Sequence, residues 1–120
     1  MTDKKESLLI NIDERFEESI DIARELFLKG SIFIYPTDTI YGMGCSIYQP
    51  KAINRIAKIK GSKIEKSNFS IIFHNLSMLS EFTKPINTTI FRLMRKNLPG
   101  PFTFILEANS NVPKIFQGKK

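Results

Sequence analysis

The chain has 120 residues, 42% apolar and 25% charged, an ordinary globular composition and enough for one hydrophobic core. Eighteen lysines and arginines against twelve aspartates and glutamates leave a formal charge of +6, which favours a polyanionic partner. The single cysteine, Cys45, excludes an internal disulfide and a cysteine-built metal cluster; no apolar run approaches the roughly 18 residues of a membrane span, and the polar stretch Met1–Ser7 lacks a signal-peptide core, so a cytoplasmic location is expected.

Taken in chain order, residues 8–12 (Leu-Leu-Ile-Asn-Ile) read as a first strand. Asp13 is the expected N-cap of a helix over about residues 14–29. Phe16, Ile20, Ala23 and Phe27 recur at helical spacing on it, and Gly30 is placed to end it. Residues 31–35 read as a second strand, stopped at Pro36 because proline cannot continue a ladder. Then comes Tyr-Pro-Thr-Asp-Thr-Ile-Tyr-Gly-Met-Gly, residues 35–44. It is dense in hydroxyls, with one carboxylate, one aromatic ring and two glycines that let the backbone bend or approach a ligand. Composition reads equally as a turn or as a site loop at a strand end.

Residues 44–47 read as the start of a further strand. Pro50 suits the first turn of a helix. Ala52, Ile53, Ile56, Ala57 and Ile59 supply its apolar face, Lys51, Arg55 and Lys58 share another, and the helix is expected to end near Lys60 and Gly61. Residues 63–68 are a polar loop, and residues 69–73 (Phe-Ser-Ile-Ile-Phe) a buried strand. Asn75 or Ser77 caps a short helix to about Phe82. Asn87 or Thr88 starts another through Asn97, which Pro99-Gly100-Pro101 closes off. Residues 102–106 (Phe-Thr-Phe-Ile-Leu) read as a strand, and Val112 to Phe116 carry a weak turn-helix signal. Strands alternating with helices of about ten residues predict an α/β or α+β domain. His74, the only histidine, reads as structural. Cys45 reads as a small buried apolar residue. No metal-ligand spacing occurs.

The string Pro36-Thr37-Asp38-Thr39-Ile40-Tyr41-Gly42-Met43-Gly44 resembles the signature of the YrdC-like family, the threonylcarbamoyl-adenylate synthases and their YciO-like relatives. The helix ending at Lys60 is similar to the family helix that ends in Lys-x-Arg. Residues 98–106 are similar to its Pro-Gly-Pro-x-Thr element, and residues 68–70, 75–77 and 91–94 most resemble the YciO-like branch. The resemblance is strongest over residues 30–117. It implies a twisted mixed sheet with flanking helices and a basic concave surface, and residues 1–120 forming part of one such domain.

The resemblance also implies chemistry. Family members make threonylcarbamoyl-AMP from threonine, bicarbonate and ATP for tRNA modification, and some bind double-stranded RNA. Thr39 and Tyr41 would face the threonine or carbamate site. Lys60 would meet nucleotide phosphate, and Thr103 would place a hydroxyl near the nucleotide. ATP would arrive with Mg²⁺, without a protein-held metal. Lys51, Arg55, Lys58 and Lys63 would contact RNA phosphates. Two departures set this chain apart. Ser62 stands where the family has the arginine of Lys-x-Arg, and a hydroxyl does not replace a bidentate guanidinium. The family's later Gly-x-Arg-x-Pro and Ser-x-Asn motifs are not in the sequence, so a fragment, a truncated form or a degenerate copy is expected. The alternative function is a YciO-like protein that binds RNA or nucleotide without synthase activity.

Overall fold

The computed structural model describes residues 7–61 and 69–116. The chain divides into two compact units, Met1–Ile56 and Ala57–Lys120. In order, the elements are α1 (Phe16–Leu28), β1 (Phe33–Tyr35), β2 (Gly42–Gly44), α2 (Pro50–Ile59), α3 (Leu76–Ser80), α4 (Thr88–Asn97) and a 3₁₀ turn, Lys114–Phe116. Helices with a small antiparallel sheet make this a mixed α+β architecture, as expected. The division between the units falls within α2.

The first unit departs from expectation at its start. Residues 8–12 form no strand; Leu9 is 94% exposed, and an apolar pentapeptide without a partner strand has nothing to complete its ladder. Asp13 is not the helix cap. Its amide donates to Asn11 Oδ1 in a local turn, and Arg15 occupies the N-cap without a capping side-chain bond. Glu17 and Glu18 in the first turn of α1 suit the positive end of its dipole. The expected apolar face of α1 is not a buried stripe. Phe16, Ile20 and Phe27 are exposed, and the one buried residue of the helix is Ser19, whose hydroxyl donates to Asn11 O at 3.3 Å.

Gly30 does end α1, with φ of +94°, a conformation in which glycine carries no Cβ penalty. A side chain there would also meet Gln49 Oε1 at 3.0 Å. Gln49 Nε2 in turn donates to Leu28 O at 2.8 Å. The end of α1 and the start of α2 are therefore joined by one side chain. The edge-to-face pair Phe27–Phe33, with centroids 6.2 Å apart, packs α1 on β1.

Helix α2 forms as the sequence predicts, from Pro50 at its first turn to Gly61 at φ +74° beyond its end. Ala52, Ile53, Ile56 and Ala57 are buried, but Ile59 is exposed. In the second unit, α3 is capped by Asn75, which accepts from Met78 N at 2.7 Å, and ends at Ser80 rather than Phe82. Asn87 caps α4 through Thr89 N, also at 2.7 Å. Met94 is 1% exposed and is the largest fully buried side chain among the described residues.

Residues 107–111 are tied to residues 81–84. Thr83 and Ala108 form an isolated antiparallel bridge. Lys84 N donates to Glu107 O, and Asn109 N to Phe82 O. The amides of Asn109 and Asn111 both donate to Glu81 O, at 2.8 and 2.7 Å. Residues 69–73 and 102–106, expected as strands, belong to no ladder among the described residues. A strand needs a neighbour for its backbone groups, and neither segment has one among the described residues.

Candidate functional site

The signature residues form a hairpin. β1 and β2 pair antiparallel with Phe33 opposite Gly44, Ile34 opposite Met43 and Tyr35 opposite Gly42. The second strand thus begins at Gly42, two residues before the sequence places it. Pro36 ends β1, and residues 36–41 make the loop. Thr37 organises that loop. Its hydroxyl donates to Ile40 O and accepts from Thr39 N at 3.3 Å, a hydroxyl-closed turn. Thr39 and Asp38 are exposed, and Tyr41 is 74% exposed. The hairpin therefore presents a hydroxyl, a carboxylate and a phenol on one polar loop.

The two glycines have a role that the sequence does not reveal. Neither has a positive φ. A Cβ on Gly42 would lie 2.7 Å from Cε2 of Tyr35, and one on Gly44 3.3 Å from Cε1. The Tyr35 ring lies across both glycines, a cross-strand packing of aromatic on glycine. Tyr35 is the residue that sequence reasoning missed. The signal was there: an aromatic just before the proline, with glycines at alternate positions in the returning strand. Cys45 follows, half-buried, and burial pushes its thiol above the ordinary value. Ser46 is buried; its Oγ accepts from Tyr48 N at 3.2 Å and turns the chain toward α2.

Lys51 and Arg55, on the first-unit part of α2, are exposed, as is Lys58 on the second-unit part. Among the described residues the ion pairs are Arg15–Glu18 and Lys84–Glu107, so these three cations have no carboxylate partner there. The helix carries no acidic residue in its first turn. Lys63, the fourth expected RNA contact, and Ser62 lie outside the described residues.

In the second unit, Lys60 is exposed with its Nζ 5.7 Å from the centroid of the Phe69 ring. Such a cation–π contact on the surface contributes about 0.5–1 kcal/mol and leaves the ammonium open to an anion. Phe69 meets Phe116 edge to face at 6.1 Å. Both rings line a cleft of about 1020 Å³, together with Phe73, Met94, Thr103 and Phe104. Thr103 is exposed on that lining. Thr39 and Tyr41 thus share the hairpin loop of the first unit, and Lys60 and Thr103 belong to the second. No group of three His, Cys, Asp or Glu side chains able to hold a metal occurs among the described residues. No helix among them is long and apolar enough to cross a membrane.

Residues 25–120 match the family of Sua5, YciO and YrdC domains, described as "Telomere recombination". The chain is 36% identical over 112 residues to the uncharacterized protein YciO of Escherichia coli K12, covering 92% of this chain and 53% of that protein. It is 30% identical over 115 residues to the threonylcarbamoyl-AMP synthase of Pyrococcus abyssi, covering 93% of this chain and 33% of the synthase. Among solved structures, a Sua5 variant of P. abyssi superimposes with a TM-score of 0.81 at 29% identity, over 92% of this chain and 34% of that one. The crystal structure of P. abyssi Sua5 with L-threonine gives 0.74 at 28% identity, over 83% and 29%. The chain thus spans about half the length of YciO and a third of the synthase.

Proposed function

The chain belongs to the Sua5–YciO–YrdC family, and from that premise we propose that it carries part of a threonylcarbamoyl-AMP synthase-type site, binding threonine and ATP. The observation behind this reading is the signature hairpin, with Thr39 and Tyr41 exposed on its loop, in a chain similar to a synthase and to a Sua5 solved with L-threonine. In this reading the Thr39 hydroxyl takes the polar end of threonine or its carbamate, and the Tyr41 ring walls it. The Lys60 ammonium neutralises nucleotide phosphate, and the Thr103 hydroxyl bonds nearby. The overall reaction joins threonine, bicarbonate and ATP with release of pyrophosphate. It needs positioning and cationic stabilisation of phosphate more than an acid–base pair. Mg²⁺ enters with ATP.

Calorimetric titration tests the binding step. ATP–Mg²⁺ is expected to bind, and Lys60→Ala to weaken it by about 1.5–3 kcal/mol, the value of a charge-assisted hydrogen bond. Threonine binding is expected to be lost in Thr39→Val. Affinities unchanged by either substitution would overturn the assignment. Turnover is expected to be poor, because Ser62 replaces a phosphate-binding arginine of the family; robust threonine-dependent pyrophosphate release by residues 1–120 would refute that.

A second reading is favoured by the α2 surface and by the higher identity to YciO than to the synthase. Here the protein binds RNA or nucleotide without synthesis. Lys51, Arg55 and Lys58 contact phosphates, with Lys63 added from the sequence that follows. Binding of an RNA duplex should weaken steeply with salt and fall further when the three helix cations become alanine. Salt-independent binding, or none at low salt, would remove this reading.

A further inference from the structure

We infer that Thr37 is a positioning residue for the threonine end of the proposed site: its hydroxyl holds the hairpin loop in shape and leaves the hydroxyl of Thr39 free to meet the substrate. The inference rests on the threonine-binding reading above. It divides the work between the loop's two threonines, which that reading leaves open.

The loop has little else to hold it. Residues 36–41 are all exposed, with Ile40 at 77% and Tyr41 at 74%, so no side chain of the loop is buried as an anchor. Pro36 has no backbone N–H to donate. Beyond the strand ladder, which ends at the pair Tyr35–Gly42, no backbone–backbone hydrogen bond involves residues 36–41 among the described residues. What remains is the Thr37 hydroxyl, which donates to Ile40 O and accepts from Thr39 N at 3.3 Å. It ties residues 37, 39 and 40 together. The ring of Tyr35, laid across Gly42 and Gly44, steadies the strands on which the loop stands.

The two threonine hydroxyls are in opposite states. A hydroxyl has one proton to donate. That of Thr37 goes to Ile40 O, so Thr37 has none to offer a ligand. The Thr39 hydroxyl makes no hydrogen bond among the described residues, only its backbone amide being engaged. It can therefore both donate to a carboxylate or carbamate oxygen and accept from an amine.

The energetic argument is one of preorganisation. A polar loop that is loose before binding must be ordered by the ligand, at a cost in backbone entropy. A brace already closed removes that cost from the binding step. Thr37 thus acts through Thr39 and not by touching the substrate.

The test is titration of residues 1–120 with threonine and, separately, with ATP–Mg²⁺, for the unsubstituted chain, Thr37→Val and Thr37→Ser. Valine keeps the shape of threonine and removes the hydroxyl; serine keeps the hydroxyl. Thr37→Val should weaken threonine binding by about tenfold, the cost of ordering roughly one backbone residue. Thr37→Ser should restore it. ATP–Mg²⁺ affinity and the urea unfolding midpoint should be the same in all three chains. Backbone order parameters of residues 38–41, measured without ligand, should fall below about 0.6 in Thr37→Val and stay near about 0.85 in the other two. Weaker threonine binding with unchanged order parameters would overturn the inference, because Thr37 would then be a direct contact. So would a loosened loop with unchanged affinity, equal losses in the valine and serine variants, or a loss of ATP binding or stability alongside that of threonine. If the unsubstituted chain bound no threonine, the proposed site itself would fall, and this inference with it; the results for the variants bear on Thr37 alone.

Discussion

Residues 33–44 form a paired hairpin, whereas residues 69–73 and 102–106, richer in large apolar side chains, form no ladder among the described residues. The weaker strand signal produced the sheet. The reason is connectivity. β1 and β2 are joined by residues 36–41 alone, and closing a short loop costs little entropy. Thr37 closes that loop, and Tyr35 covers the two glycines opposite. The second unit's segments are separated by two helices and have no neighbouring strand among the described residues. That unit is held instead by capped helices, buried Met94 and the amide clamp of Asn109 and Asn111 on Glu81. High strand propensity states what a segment will accept; pairing depends on what is beside it.

Substitutions can break or sharpen this contrast. The largest effect should come from Met94→Ala. It empties a fully buried position, and such truncations cost about 2–5 kcal/mol. Ile72→Ala and Ile105→Ala, at exposed positions, should stay within about 0.5 kcal/mol. Urea denaturation of the three variants measures the difference. Equal costs would mean that the strand-like segments are packed in solution.

Gly42→Ala should be next. The added methyl meets the Tyr35 ring at 2.7 Å, and overpacking of this kind costs about 1–3 kcal/mol. Gly44→Ala, with 3.3 Å available, should cost less. Tyr35→Ala combined with Gly42→Ala should cost less than the sum of the single changes, because the clash needs both groups. Strict additivity would show that Tyr35 does not sit on the glycines.

Asn75→Ala removes the acceptor for Met78 N and should cost about 1 kcal/mol, the usual value of an N-cap. Its helix has five residues, so the loss should appear as faster amide exchange in α3, with α4 unaffected. A variant with unchanged α3 exchange would show that packing, not the cap, holds that helix.

The smallest effect concerns Cys45. Burial raises its pKa above the ordinary 9.0. At pH 8 iodoacetamide should therefore label it more slowly than a free thiol, since the thiolate is the nucleophile. The sign for stability follows from the same shift. The folded state holds the proton more tightly than the unfolded chain. The contribution is complete below the unfolded value and is lost as pH rises through the higher folded one. Stability of Cys45→Ala should accordingly depend less on pH above 9.0 than that of the unsubstituted chain.

The sequence by itself determined the features that depend on neighbours in the chain. Gly30 and Gly61 end their helices, Pro50 begins α2, and Asn75 and Asn87, each one of two candidates in the sequence, cap α3 and α4. Each of these is a contact within a few residues, or the property of one residue's own backbone. The signature string from Pro36 to Gly44, with the helix ending at Lys60 and the Pro-Gly-Pro-x-Thr element, also carried the resemblance to the family that residues 25–120 match. Only the tertiary structure decided which apolar patterns are buried. Ser19 rather than Phe16 is the buried residue of α1, residues 8–12 find no ladder, and Tyr35 occupies the space above Gly42 and Gly44. Burial and strand pairing are properties of pairs distant in sequence, and a periodic pattern names one member of such a pair without its partner.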